Sequence, residues 1–273
     1  MKTRFLDLAG GRIAYDDTET RGPLVVCVPG YGENRTTYRF LRPLLAAAGY
    51  RVVTADVRGG GESTVDWPDY TVTSLAADII ALVRHLDAGP VVLVSNSFTG
   101  ASSYVAAAEA PELFAGLVPT GPLARPQPEM GFVLKLAEAI VTSSAMTWMP
   151  YWASLFKTTK PADFATARKA LRANLAQRGR MSALRKAFAS SEAPSVAAAP
   201  KVTCPVLVVM GSKDPDFRDP AEEAAAVAGL VADGRVAMIA GAGHYPSAEF
   251  PQATADVLLP FLAGIRHYAR DHG

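Results

Sequence analysis

The feature that most restricts the fold is a set of short apolar runs that each stop in a polar, glycine-bearing or acidic loop. Residues 24–28 end at Pro29-Gly30-Tyr31-Gly32, and residues 51–55 run into Asp56. Residues 91–94 meet Ser95-Asn96-Ser97, 206–210 meet Gly211-Ser212, and 236–239 lead to a loop holding His244. Runs this short without polar alternation suit strands buried on both faces, an environment that a parallel sheet covered by helices supplies. The segments between them carry helical period. Leu75, Ile79, Leu82 and Leu86 fall at i, i+4, i+7 and i+11, an apolar stripe that Thr73 or Ser74 can cap and Gly89-Pro90 ends. A hairpin of residues 3–8 and 12–16 around Ala9-Gly10-Gly11, and a short strand at Leu117-Val118, complete the set. The expected fold is α/β: a mostly parallel eight-stranded sheet with helices on both faces.

From Pro122 to about Pro200 the alternation lapses into helical period, with Trp148, Met149, Tyr151 and Trp152 close together. The expected organisation is therefore a core of residues 1–121 and 201–273, with a helical insertion over 122–200 acting as a cap or lid. Charged residues are 19% and hydrophobic residues 49%, which excludes a disordered chain. The balance of 27 basic and 26 acidic residues, net +1, gives no general field to recruit nucleic acid or an anionic membrane. The N-terminus lacks a secretory h-region, and no window has the uninterrupted apolar length of a membrane span. Cys27 and Cys204 read as strand-buried free thiols. A cytoplasmic protein acting on a small molecule is expected, without nucleic-acid or membrane partners; the sequence leaves the oligomeric state open.

In open α/β sheets, functional groups gather beyond the carboxyl ends of strands. Three such loops hold groups that can act together. Ser97 lies in a strand-to-helix turn, Ser95-Asn96-Ser97-Phe98-Thr99, close to the small-x-Ser-x-small elbow that presents a nucleophile; an ordinary Ser- or Thr-capped turn is the competing account. Ser95 fits the elbow easily, whereas the β-branched Thr99 is expected to crowd it. Asp214 follows the 206–210 strand and can orient an imidazole; Asp216 competes for that part, and an Asx turn would serve structure alone. His244, flanked by Gly243 before the last helix, has no evident structural duty. His85, His267 and His272 are expected to meet solvent. The order Ser97, Asp214, His244 has spacings of 117 and 30 residues (214 − 97 and 244 − 214), and each residue follows its own strand. No His and Cys spacing suggests a metal cluster, and the chemistry of such a set needs no cofactor.

These residues, together with Val28-Pro29-Gly30-Tyr31-Gly32 and Asp56-Val57-Arg58-Gly59-Gly60-Gly61-Glu62-Ser63, resemble the α/β-hydrolase fold superfamily over nearly the whole chain. The likeness is to its small cap-bearing esterase-like, C–C-hydrolase-like and haloperoxidase-like branch. It implies Ser97 as nucleophile, His244 as general base, Asp214 as its orienter, and an oxyanion hole from the Tyr31 and Phe98 N–H groups. The Asp56–Ser63 loop is implied to be structural. The chain departs from the family pattern at Val28, where His is usual, and at Ser95 and Thr99, where Gly is usual. A serine at position 97 argues against dehalogenase or epoxide-hydrolase chemistry, which would use a carboxylate there.

The leading expectation is a serine hydrolase acting on an ester, a thioester or a carbonyl-adjacent C–C bond. The aromatic insertion suggests an apolar substrate touching Trp148 and Trp152, with core packing as the plainer account of both. A lyase, cyclase or perhydrolase using the same residues, or a binding module with little turnover, are the alternatives.

Overall fold

The computed structural model describes residues 2–126 and 132–271, with side chains at these positions except 132–134 and 266–271. The strands are β1 (Arg4–Leu8), β2 (Gly11–Asp17), β3 (Leu24–Val28), β4 (Arg51–Ala55), β5 (Val91–Asn96), β6 (Phe114–Thr120), β7 (Val206–Gly211) and β8 (Gly234–Ile239). They form one sheet in the order β1-β2-β4-β3-β5-β6-β7-β8. The β1–β2 and β2–β4 pairs are antiparallel, and the rest are parallel. Every residue of β3 and of β5 is buried, as their unbroken apolar runs require.

The helices are α1 (Leu41–Ala47), α2 (Val72–Leu86) and α3 (Thr99–Glu109), then α4 (Phe132–Val141), α5 (Ala145–Ser154), α6 (Phe164–Leu175), α7 (Arg180–Phe188) and α8 (Ala193–Ala198) between β6 and β7. α9 (Pro220–Ala228), α10 (Pro246–Glu249) and α11 (Pro251–Asp271) complete the chain. Alternate strand residues face two separate cores. Leu24, Val26, Leu93 and Val208 join α2 and α3 on one face. Val25, Cys27, Val94 and Val209 join α1 and α11 on the other. No helix among the described residues is long and apolar enough to cross a membrane.

Several boundaries differ from those expected. α2 begins at Val72, because Thr71 rather than Thr73 or Ser74 is the cap; its side chain accepts from the Ser74 N–H at 3.2 Å. β6 runs well beyond Leu117-Val118: Gly116 and Pro119 hide it from a propensity reading, while pairing with both β5 and β7 imposes it. The final helix, expected over residues 249–265, begins at Pro251 as α11, and the short α10 precedes it. Cys204 precedes β7 and is only partly buried, so the expectation of a strand-buried thiol holds for Cys27 alone.

The helices between β6 and β7 are fastened to the loops at the carboxyl edge of the sheet. Arg180 donates to Gly60 O at 3.1 Å and Ser63 O at 2.6 Å, and Asn174 donates to Gly61 O at 2.8 Å. Arg39 grips both carboxylate oxygens of Asp163, at 2.7 and 2.5 Å. The Asp56–Ser63 loop is itself built around a buried anion. Asp56 is 1% exposed and accepts from the backbone N–H of Arg35 at 2.7 Å and of Glu62 at 2.9 Å, and it pairs with the Arg35 guanidinium.

Candidate active site

β3 lies beside β5, and the chain passes from β3 to β4 on one side and from β5 to β6 on the other, so the two connections diverge and open a crevice at the carboxyl ends of β3 and β5. Ser97 stands at the end of β5 with φ +58, a left-handed conformation that costs a non-glycine residue about 1–3 kcal/mol and persists only where its surroundings enforce it. They do so here. The Ser97 N–H donates to Thr120 O at 3.0 Å, and Ser97 O accepts from the N–H groups of Gly100 at 2.9 Å and Leu123 at 3.1 Å. Thr99 does not crowd this turn. It is wholly buried; its hydroxyl accepts from the Asn96 N–H at 2.9 Å and lies 2.8 Å from Asn96 O and 3.1 Å from Val28 O, either of which can take its proton. The departure at position 99 thus ties the elbow to the end of β3.

The Pro29–Asn34 stretch passes directly over the elbow. A Cβ on Gly30 would meet Ser97 Cβ at 2.9 Å and Asn96 O at 3.2 Å, so only glycine allows this approach. His244 lies beyond β8, and its Nδ1 is 2.8 Å from Asp214 Oδ2 and 3.5 Å from Asp216 Oδ2. With Nδ1 engaged by a carboxylate, Nε2 is the nitrogen left for another partner. Asp214 also accepts from the Asp216 N–H at 3.1 Å, while Asp216 Oδ1 accepts from the Tyr151 hydroxyl of α5 at 2.8 Å. The imidazole is 2% exposed. Burial opposes its cationic form, but the two carboxylates overcome that and hold its pKa up at about 9. Burial raises the pKa of Asp216.

The histidine loop is fixed on three sides. Its His244 N–H donates to Leu155 O at 3.0 Å, and Asn96 bridges Thr120 O at 2.9 Å and His244 O at 3.3 Å. The Glu249 carboxylate accepts from the N–H groups of Gly243 at 2.9 Å, Tyr245 at 3.3 Å and Lys157 at 3.0 Å. Asp214, Asp216 and His244 each offer a ligand atom within 4.8 Å of the others, close enough for a metal ion. Spacing along the chain did not reveal this group, because the turn at Pro215 and the β7–β8 pairing create it.

Trp148 and Trp152, expected to touch substrate, are 2% and 3% exposed. Their indole N–H groups are turned to the Pro29–Asn34 stretch: Trp148 donates to Gly32 O at 3.1 Å, and Trp152 donates to the Glu33 carboxylate. Tyr31 and Phe98 are both buried, with rings 5.4 Å apart edge-to-face. His85 is exposed and bonds the Tyr15 hydroxyl at 3.1 Å; the side chains of His267 and His272 lie outside those described. Sequence reasoning missed Glu33, Asn96, Tyr151 and Glu249. Asn96 stood inside the Ser95–Thr99 turn already singled out and Glu33 lay one residue past the Pro29–Gly32 loop, whereas the contacts of Tyr151 and Glu249 depend on how distant segments pack.

A family model described as "Alpha/beta hydrolase family" matches residues 25–257, and the chain belongs to that family. It is 29% identical over 267 residues to the "Putative non-heme bromoperoxidase BpoC" of Mycobacterium tuberculosis, covering 93% of this chain and 98% of that one. Epoxide hydrolase B of the same organism is 32% identical over 120 residues, 42% of this chain and 34% of that protein. A thermophilic esterase from Thermogutta terrifontis superposes with a TM-score of 0.75 at 25% identity, covering 97% of this chain and 99% of that one.

Proposed function

We propose that the protein is a serine hydrolase in which Ser97 is the nucleophile, His244 the general base and Asp214 the residue that orients it, with the 122–200 insertion as a cap. The observation that carries this reading is the strained serine at the elbow on the same sheet edge as a buried imidazole whose Nδ1 is held by a carboxylate. In the reaction, His244 Nε2 takes the Ser97 hydroxyl proton as Oγ attacks the substrate carbonyl carbon. The Tyr31 and Phe98 N–H groups, the latter at the start of α3, would stabilise the resulting oxyanion. The leaving alcohol or thiol departs with the proton from the imidazolium, and water then releases the acyl group by the same route. The closer contact favours Asp214 over Asp216 as orienter. Apolar esters are the expected substrates. Burst kinetics with p-nitrophenyl esters of graded chain length test this: a burst that depends on Ser97 supports an acyl-enzyme, and steady turnover unchanged without Ser97 refutes it.

The likeness to a protein named as a bromoperoxidase favours a second use of the same serine, in which hydrogen peroxide replaces water at the acyl-enzyme and a peracid leaves. Peracid formation when peroxide is added to the ester assay distinguishes it.

Two further outcomes follow from the geometry. The base must be neutral to accept a proton, so kcat/KM should rise with pH through the His244 ionisation, held up at about 9, and fall as pH drops below it. A profile flat from neutral to alkaline pH would contradict this assignment. If His244 and Asp214 serve the serine rather than a metal, incubation with EDTA should leave ester turnover unchanged, and loss that zinc restores would assign the cluster to metal chemistry.

A further inference from the structure

Glu33 is a buried carboxylate to which the reaction above gives no part. It lies two residues beyond Tyr31 and is 6% exposed. Its hydrogen-bond donors are neutral: the Trp152 indole, and the Asn34 N–H at 3.2 Å. One turn earlier on α5, Trp148 donates to Gly32 O at 3.1 Å, and any side chain at Gly32 would run into the Trp148 ring. Positions 148 and 152 are four apart and share one face of the helix. That face is laid along Gly32-Glu33, so the two residues that follow Tyr31 are gripped by the insertion. On the other side, Asn34 fixes the next turn, its side chain accepting from the Thr36 N–H at 3.0 Å.

We propose that Glu33 is a positioning residue that transmits the seating of the cap, through Trp152, to the backbone of Tyr31 and so to the oxyanion hole. The proposal rests on the reading of Tyr31 given above. Its physical basis is that α5 supplies the indole donor that the buried carboxylate accepts from, so the loop keeps its bound form only while α5 is seated. The charged and titratable groups facing Glu33 are Arg39, His244, Tyr38 and Tyr245. Burial pushes the Glu33 carboxyl up to about 7, against the opposing pull of the Trp152 and Asn34 bonds and of Arg39 and His244. The ionised form makes the stronger, charge-assisted bond to the indole. The grip therefore tightens as pH rises through neutrality and loosens below it.

Two readouts on the full chain test this. Intrinsic fluorescence is followed from about pH 5.5 to about pH 8.5, a range spanning the shifted carboxyl, in wild type, Glu33→Gln, Trp152→Phe and Ser97→Ala. The tryptophans are Trp67, Trp148 and Trp152, and Trp152→Phe isolates the one in contact with Glu33. A transition centred near neutrality is expected in wild type and Ser97→Ala and lost in Glu33→Gln and Trp152→Phe. In ester hydrolysis, Glu33→Ala should lower kcat about ten-fold while KM moves less than about three-fold; Glu33→Gln, which keeps an acceptor oxygen for the indole, should hold kcat within about three-fold. A transition that persists in Glu33→Gln, an equal loss of kcat in the two Glu33 variants, or an unchanged kcat in Glu33→Ala overturns the proposal. The fluorescence arm uses resting protein. Activity surviving in Ser97→Ala would therefore sink the serine mechanism while leaving the Glu33–Trp152 contact separately decided.

Discussion

Replacing Ser97 by alanine is expected to lower ester kcat by about 10⁴- to 10⁶-fold while the protein stays folded. The size of the loss follows from the lack of any substitute: an alcohol nucleophile without its oxygen leaves only binding and the oxyanion donors, which cannot form an acyl-enzyme. Folding should be spared because Ser97 is held by its backbone, through Thr120 O, Gly100 N–H and Leu123 N–H, and alanine keeps those bonds. The comparison is kcat for the two proteins with a common ester, beside their thermal melting curves. A fall of less than ten-fold in a folded variant would remove Ser97 from the mechanism.

The second large effect separates the two aspartates. Asp214→Asn should cost about 10⁴-fold, because an amide at 2.8 Å from His244 Nδ1 can donate as well as accept and no longer fixes the tautomer that presents Nε2 as the base. Asp216→Asn should cost far less, since that carboxylate stands at 3.5 Å and its other oxygen is bound by Tyr151. It should also move the pH profile. Asp216 is one of the charges holding His244 up at about 9, so its removal should shift the rising limb of kcat/KM to lower pH. Parallel pH–rate profiles of the two variants give both readings. A larger loss in Asp216→Asn would transfer the orienting part to Asp216.

The sequence exposed the sheet because its central strands are unbroken apolar runs, and it pointed to Ser97, Asp214 and His244 as candidates because each lies in the loop that follows such a run. It hid what depends on contacts between distant segments. Thr99 read as a misfit, yet Val28 O is placed by β3–β5 pairing to receive its hydroxyl. Trp148 and Trp152 read as pocket walls or packing, and nothing local told that their indole N–H groups reach Gly32 and Glu33, 116 and 119 residues away. Glu33 drew no reading at all, since burial of a carboxylate is decided by what covers it. β6 was shortened by Gly116 and Pro119, whose weak strand propensity is overridden by two neighbouring strands.

The central claim is that Ser97 is activated by His244. It is tested most directly by treating the folded protein with a fluorophosphonate and mapping the adduct by peptide mass spectrometry. The account expects one covalent adduct, on the peptide carrying Ser97, absent in Ser97→Ala and strongly slowed in His244→Ala. An adduct on another residue, no adduct on the folded wild-type protein, or labelling indifferent to His244 would contradict it.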